Sequence, residues 1–307
     1  MMKKIISLIL FVILPFNFVW SGAFRDLGNG ARAVALGLTY IAVADNPYAM
    51  FYNPSGIGQI KRLSFASSYS RLYPFVQDEN LYYLTFSGVL PVFSLFNFGV
   101  GVSYFKTGMW NENQFIFSVA REFKYIKGLS LGGNLKILRW SAVAPIGESG
   151  YSYFGFTFDA GAIFVWRDFI NGSDLKFGLT ARNITQPSIA VNKSNDAKLP
   201  LEIAGSGVYA SRSYNYQIGF GVLKSGDELK IDVGFEIQAI SAEFLRSNFE
   251  FVIRASSGTI VNGGKQSSLN PGFGIKYWKF RVDYVYVHQF EISDAGGSHK
   301  FSIEFNL

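Results

Sequence analysis

The chain has 307 residues, of which 49% are hydrophobic, 17% aromatic and only 16% charged, with a formal net charge of +6. Soluble domains carry about 25% charged residues, so this chain is charge-poor for its size. The absence of cysteine excludes a disulfide framework, a thiolate metal site and a cysteine nucleophile, and the basic residues form no run or stripe suited to nucleic acid.

The first residues read as an export signal. Met1, Met2, Lys3 and Lys4 supply a positive start, residues 5–14 an apolar run, and "WSGA" at 20–23 small residues for a signal peptidase, with cleavage near Ala23, give or take a few residues. An uncleaved anchor is the other reading, but the run is shorter than the ~20 residues a spanning helix needs. No later stretch is long and apolar enough to cross a membrane as a helix. An exported, oily chain of this kind is either a soluble β protein or a membrane β-barrel.

Residues 24–60 differ from the rest. They are rich in small residues (Gly28, Gly30, Gly37, Gly56, Gly58), carry turn signals at "DNP" and "YNPSG", and lack a period of two. They read as a compact irregular segment with a short helical turn. From residue 61 onward, short strands separated by turn residues are predicted at 62–71, 80–89, 98–106, 114–123, 129–140, 153–166, 175–185, 199–209, 214–223, 228–240, 247–256, 273–278, 279–289 and 300–307. Several have two distinct faces. Leu229, Ile231, Val233, Phe235 and Ile237 oppose Lys230, Asp232, Glu236 and Gln238; Phe280, Val282 and Tyr284 oppose Arg281 and Asp283. In the final strand, Phe301, Ile303, Phe305 and Leu307 oppose Lys300, Ser302 and Glu304. Charges in mid-strand are awkward for a soluble sandwich and natural in a barrel with a polar lumen and an oily outside. The predicted connections alternate, with the longest at 141–152, 186–198, 257–272 and 290–299, as short periplasmic turns and longer outer loops would. Tyr104, Phe105, Trp110, Trp140, Trp166, Tyr277 and Trp278 fall near strand ends, where bilayer interfaces favour amphipathic rings. The fold class is therefore all-β: a transmembrane antiparallel β-barrel of about 14 strands.

Three stretches carry a resemblance: "GNGARAVALGLTYIAVADNPYAMFYNPSGI" in the early segment, "LKFGLTARNITQPSI" at 175–189, and the closing "FRVDYVYVHQFEISDAGGSHKFSIEFNL". On these the chain resembles the FadL-like outer-membrane barrels, and within them the PorV/PorQ-type proteins linked in some bacteria to type IX secretion. The resemblance implies a signal peptide at 1–23, a plug at 24–60 folded into the lumen, and a barrel at 61–307. It singles out a plug motif of Gly30, Ala31, Arg32, Gly37, Asp45, Asn46, Asn53, Pro54 and Gly56. The strand patterns place Arg182, Lys230, Asp232, Glu236, Glu250, Arg254, Arg281, Asp283 and Glu304 in the lumen. Arg32 and Asp45 are the plug charges best placed to pair with wall residues such as Asp232, Glu236 or Arg254; a solvent-facing position at the mouth is the alternative. The chain departs from the resemblance in its short loops and in ending on Leu307 rather than an aromatic residue.

Catalytic chemistry is not expected. His288 reads as an interfacial residue and His299 as one that positions the last hairpin. No metal-ligand spacing or complete phosphate loop is present, and no cofactor is implied. Expected partners are outer-membrane lipid, the barrel-assembly machinery through the last strand, and either a secretion-system protein or a hydrophobic ligand, without nucleic acid. The resemblance implies residence in the outer membrane of a diderm bacterium. Its first functional reading is a scaffold or shuttle in protein secretion; the second is a transporter of hydrophobic small molecules such as fatty acids. For the second, Gly99, Gly101, Gly155 and Gly161 are candidates to interrupt strands and open a gap in the wall.

Overall fold

The computed structural model describes residues 23–76, 80–92, 96–123, 125–143, 150–191, 197–244, 247–262 and 266–307. The predicted signal segment, apart from Ala23, lies outside them.

Fourteen antiparallel strands close into one ring. They are β1 Ser64–Leu72, β2 Leu81–Val92, β3 Phe96–Lys106, β4 Trp110–Glu122, β5 Leu129–Ala142, β6 Tyr151–Ile170, β7 Ser173–Arg182, β8 Glu202–Ser211, β9 Tyr216–Ser225, β10 Glu228–Phe244, β11 Ser247–Asn262, β12 Gln266–Tyr277, β13 Phe280–Gln289 and β14 Ser298–Asn306. Each strand pairs with its sequence neighbour, and β1 closes the ring on β14 in the register Phe65↔Phe305, Ser67↔Ile303, Tyr69↔Phe301. Closure removes the free edges that an open sheet would expose.

Alternation decides which way each side chain points. Phe115, Phe117 and Val119 on β4 are exposed, whereas Ile116, Ser118 and Ala120 between them are buried. On β14, Phe301 and Ile303 are exposed and Lys300, Ser302 and Glu304 buried. The same reversal of ordinary burial, apolar outside and polar inside, recurs on β10 and β13, where Ile231, Val233, Phe280 and Val282 are exposed while Asp232 and Asp283 are buried. An apolar outer band around a polar interior is the arrangement of a barrel solvated by lipid. The two mouths differ. At the mouth that holds the start of β1 and the end of β14 (the terminal mouth) the connections are short, as at 171–172, 212–215 and 278–279; the far mouth carries the long ones at 183–201 and 290–297.

Residues 24–60 lie inside the ring. They fold as α1 Ala31–Leu36, a 3-10 turn Gly37–Thr39, α2 Tyr40–Val43, α3 Ala49–Tyr52 and a 3-10 helix Pro54–Gln59. This is more helix than the sequence suggested, because pieces of four to six residues are too short to show a period. Their contacts reach most of the wall: α1 touches β10 to β14, the Gly37–Thr39 turn β8 to β11, α2 β6 to β8, and Pro54–Gln59 β3 to β6. The segment descends from Phe24 at the far mouth to Ile60 beside the start of β1. Its inner residues (Leu36, Tyr40, Tyr48, Met50, Ile57) form one buried cluster with the wall residues Ala66, Val89, Ile116 and Ile163.

The predicted strands differ from the structure mainly at the far mouth. Residues 257–272 were expected as a long outer loop, but β11 runs to Asn262 and β12 starts at Gln266. Pro271 is tolerated there because its ring faces out, while Gly272 lets the wall approach Ala35 of α1. Of the expected gap-forming glycines, Gly99, Gly101 and Gly161 interrupt nothing, whereas Gly155 stands where β6 runs past the end of β7 and has no ladder partner on that side. The ladders β2–β3–β4 and β5–β6 run without a break through Gly99, Gly101, Gly155 and Gly161. A Cβ on Gly99 or Gly101 would strike Met50, and one on Gly161 would strike Asn53. Gly99, Gly101 and Gly161 make room for the lumenal segment, whereas a Cβ on Gly155 would meet Tyr153 of the same strand.

Candidate functional site

The far mouth holds the site. A cavity of about 290 Å³ opens there, with Leu27 and Leu38 of the lumenal segment in its lining and Phe24, Leu199, Leu223 and Ile260 around them. Beneath one side of it, a second cavity of about 200 Å³ continues between α1 and the wall strands β12 to β14, lined by Val34, Leu72, Asn270, Val287 and Lys300. The two share Asp26, Leu27, Leu38, Tyr73, Lys230, Ser268 and Gln289.

Local chemistry holds the floor in place. Asn53, in an extended conformation, accepts from Ser55 N and Oγ and so caps the 3-10 helix that Pro54 begins. Its amide donates to Ile41 O (2.9 Å) and to the wall carbonyl of Ala162 (3.1 Å). Gly30 and Gly37 take positive φ, and a Cβ on Gly37 would meet Asp232, which instead accepts from Leu38 N at 3.0 Å. Gly56 packs against Ala44 O, and Ala31 N donates to Ser302 Oγ at 3.1 Å. Asn46 accepts from Tyr40 OH and donates to Glu304 at 3.0 Å.

The lumenal charges form chains rather than isolated pairs. Arg32 lies between Asp45 and the wall carboxylate Glu236 (3.0 Å). Glu236 also accepts from Arg254, which reaches Asp283 at 2.7 Å. Of the two expected wall pairings, Arg32 makes one; Asp45 does not reach the wall and turns back onto Arg32. The Asp45 side chain is half exposed toward the terminal mouth, as the solvent-facing alternative had it. Arg182 is held between Asp26 (3.3 Å) and Glu202 (2.9 Å), Lys230 by Asp232 (3.1 Å), and Glu250 by Lys276 (2.9 Å). Arg281 stands opposite Glu304 in the β13–β14 register and lines the terminal mouth.

Sequence reasoning missed several contributors. Lys136 and Asp159 pair at 2.9 Å inside β5 and β6, and Lys300 donates to Leu27 O. Both lysines stood on polar strand faces, so alternation contained the signal. Glu112, which accepts from Trp110 Nε1 at 2.7 Å and from Phe24 N at 2.8 Å, left none. Trp110 and Trp140 were expected in the interfacial belt. They point inward instead, stacked at 4.5 Å between ring centroids, in a cluster with Ala23, Phe24, Leu138, Ile189 and Leu199. Trp166 and Trp278 do stand exposed on the outside. Of the histidines, His299 Nδ1 bonds Tyr284 OH at 2.8 Å, and His288 packs edge-on against Phe290.

No family model and no curated protein matches the chain. Solved structures do match. CymD, described as a monoaromatic hydrocarbon channel, aligns with a TM-score of 0.54 at 11% identity over 89% of this chain and 98% of that one. A FadL homologue from Pseudomonas aeruginosa aligns with a TM-score of 0.56 at 11% identity over 85% and 94%. The likeness is one of fold: the structural neighbours are FadL-family channels with the same closed barrel. Neither of them supports the closer PorV/PorQ kinship or the secretion role expected first.

Proposed function

We propose that the chain is an outer-membrane channel for small, uncharged hydrophobic molecules, captured at the far mouth, which faces outward. The carrying observation is the cavity of about 290 Å³, apolar on several sides, whose charges are already spoken for. Arg182 is engaged by two carboxylates, Lys230 by Asp232, and Arg25 by Glu228 at 3.2 Å. A fatty-acid carboxylate entering here competes with Asp26 and Glu202 for Arg182, whereas a neutral ring or short alkyl chain breaks no ion pair and packs on Phe24, Leu27, Leu38, Leu199, Leu223 and Ile260. Ligand pockets usually run to about 300–1,000 Å³, so this one suits a small guest better than a long chain. The matched hydrocarbon channel supports the same reading by its description.

The route continues into the second cavity along β12 to β14. There the β12–β13 ladder lapses at Asn270 and Pro271, where proline has no N–H to offer, and Asn270 Oδ1 is buried without a partner. This break in the wall lies beside the second cavity and is the place where a guest leaves sideways.

The test is binding in detergent followed by tryptophan fluorescence, since Trp110 and Trp140 adjoin Phe24 of the cavity lining. Toluene is expected to quench saturably, with palmitate at equal free concentration giving no competition; palmitate displacing toluene, or no saturable response to toluene, would overturn the reading.

A further inference from the structure

The chain enters the barrel in an unusual way. Phe24 is buried at the far mouth, packed with Trp140, Leu138, Ile189 and Leu199, yet its φ is +60°. A bulky residue in that region is a genuine outlier, because its Cβ crowds the neighbouring peptide groups. Its N–H donates at 2.8 Å to Glu112 Oε2, and Glu112 has no cationic side chain paired with it among the described residues. A largely buried carboxylate held only by two neutral donors, Phe24 N and Trp110 Nε1, lacks a counter-charge. Just upstream, Ser21 and Ala23 are small residues three and one positions before Phe24, the spacing a signal peptidase reads.

We propose that the mature chain begins at Phe24 and that its new α-ammonium is the missing partner of Glu112. In the cleavage, water adds across the Ala23–Phe24 amide under a signal peptidase, leaving a carboxylate on Ala23 and an amine on Phe24 that takes up a proton at neutral pH. The cut removes the preceding carbonyl, so the positive φ ceases to exist as a constraint. The neutral N–H bond becomes a charge-assisted one. Ala23 lines the 290 Å³ cavity, so its departure also enlarges the site. Topology sets the order of events. The segment enters at the far mouth, opposite the side from which the chain arrives, so it docks only after the leader is cut free. Arg25 with Glu228 and Asp26 with Arg182 then fasten the next two residues to β10 and β7.

This rests on the outer-membrane reading, and the experiment separates the two. The full chain is expressed in a diderm host, recovered from the outer-membrane fraction, and weighed intact. A mass beginning at Phe24 is expected; an outer-membrane protein beginning at any other residue overturns the proposal and leaves the channel standing, while an unprocessed chain outside that membrane overturns both. On the recovered protein, 2-pyridinecarboxaldehyde is used to label the α-amine. Folded wild type is expected to label about tenfold or more slowly than heat-denatured protein and than folded Glu112→Gln. If Glu112→Gln does not assemble, the comparison of folded with heat-denatured wild type decides alone. Equal rates would overturn the ion pair.

Discussion

Arg254 shows what a single lumenal residue carries. Its side chain is 1% exposed and joins Glu236, directly across on β10, to Asp283 two strands away on β13. The second reach passes over Gly274 of β12, where a Cβ would strike both Asp283 Oδ1 and the guanidinium. Arg254→Ala leaves two carboxylates with a shared cation gone, and is expected to cost about 3–5 kcal/mol in a urea unfolding series. Adding Asp283→Asn to it should recover much of that loss, because the cost lies in the orphaned Asp283 rather than in the shape; Glu236 keeps Arg32. That Arg254 faces the lumen was legible in its sequence, from its place on the polar face of a strand. Its partners were not, since they are set by register on both sides and by an intervening glycine.

At the level of the element, the wall and the lumenal segment are fitted to each other. Gly178 of β7 lies against the backbone of Ile41 and Ala42, Gly221 of β9 against Leu38, and Gly234 of β10 against Leu36 and Thr39. Each glycine sits inside a continuous ladder, so a side chain there leaves the strand pairing intact and pushes on α2 or the Gly37–Thr39 turn. Gly178→Val is therefore expected to retain the β circular-dichroism spectrum while increasing single-channel conductance in planar bilayers. Unchanged conductance with an intact barrel would mean that the segment does not close the lumen. From the sequence Gly99, Gly101, Gly155 and Gly161 looked like breaks in strands, because a missing side chain reads the same whether it weakens a strand or admits a neighbour.

For the whole molecule, the question is where a guest goes once it has entered. The lumen below the mouth is filled by the buried cluster around Tyr40, Tyr48 and Met50, whereas the side cavity ends at the lapse beside Asn270. Extending the register Leu269↔His288 by one residue sets Asn270 opposite Val287 across that lapse. A disulfide between Asn270→Cys and Val287→Cys is expected to abolish toluene uptake in whole cells, with recovery on adding reductant, and to leave toluene binding at the mouth in place. Uptake that survives the closed bridge would send the route through the lumen instead. The same scale separates the two functions first expected. A protein co-purifying from gently extracted membranes would speak for the scaffold, and saturable toluene binding at the mouth for the channel.

The sequence by itself determined that this is an all-β barrel with oil outside and charge within, because a period of two is a local property and needs no partner to be read. It also set apart residues 24–60, whose glycines and turn residues cannot make a wall strand. Only the tertiary structure decided what those features build. The inward turn of Trp110 and Trp140, the chain of charges from Asp45 to Asp283, and the seat of Phe24 on Glu112 all join residues far apart in the chain. They exist only once the ring has closed and brought opposite walls within hydrogen-bonding distance of one segment inside it.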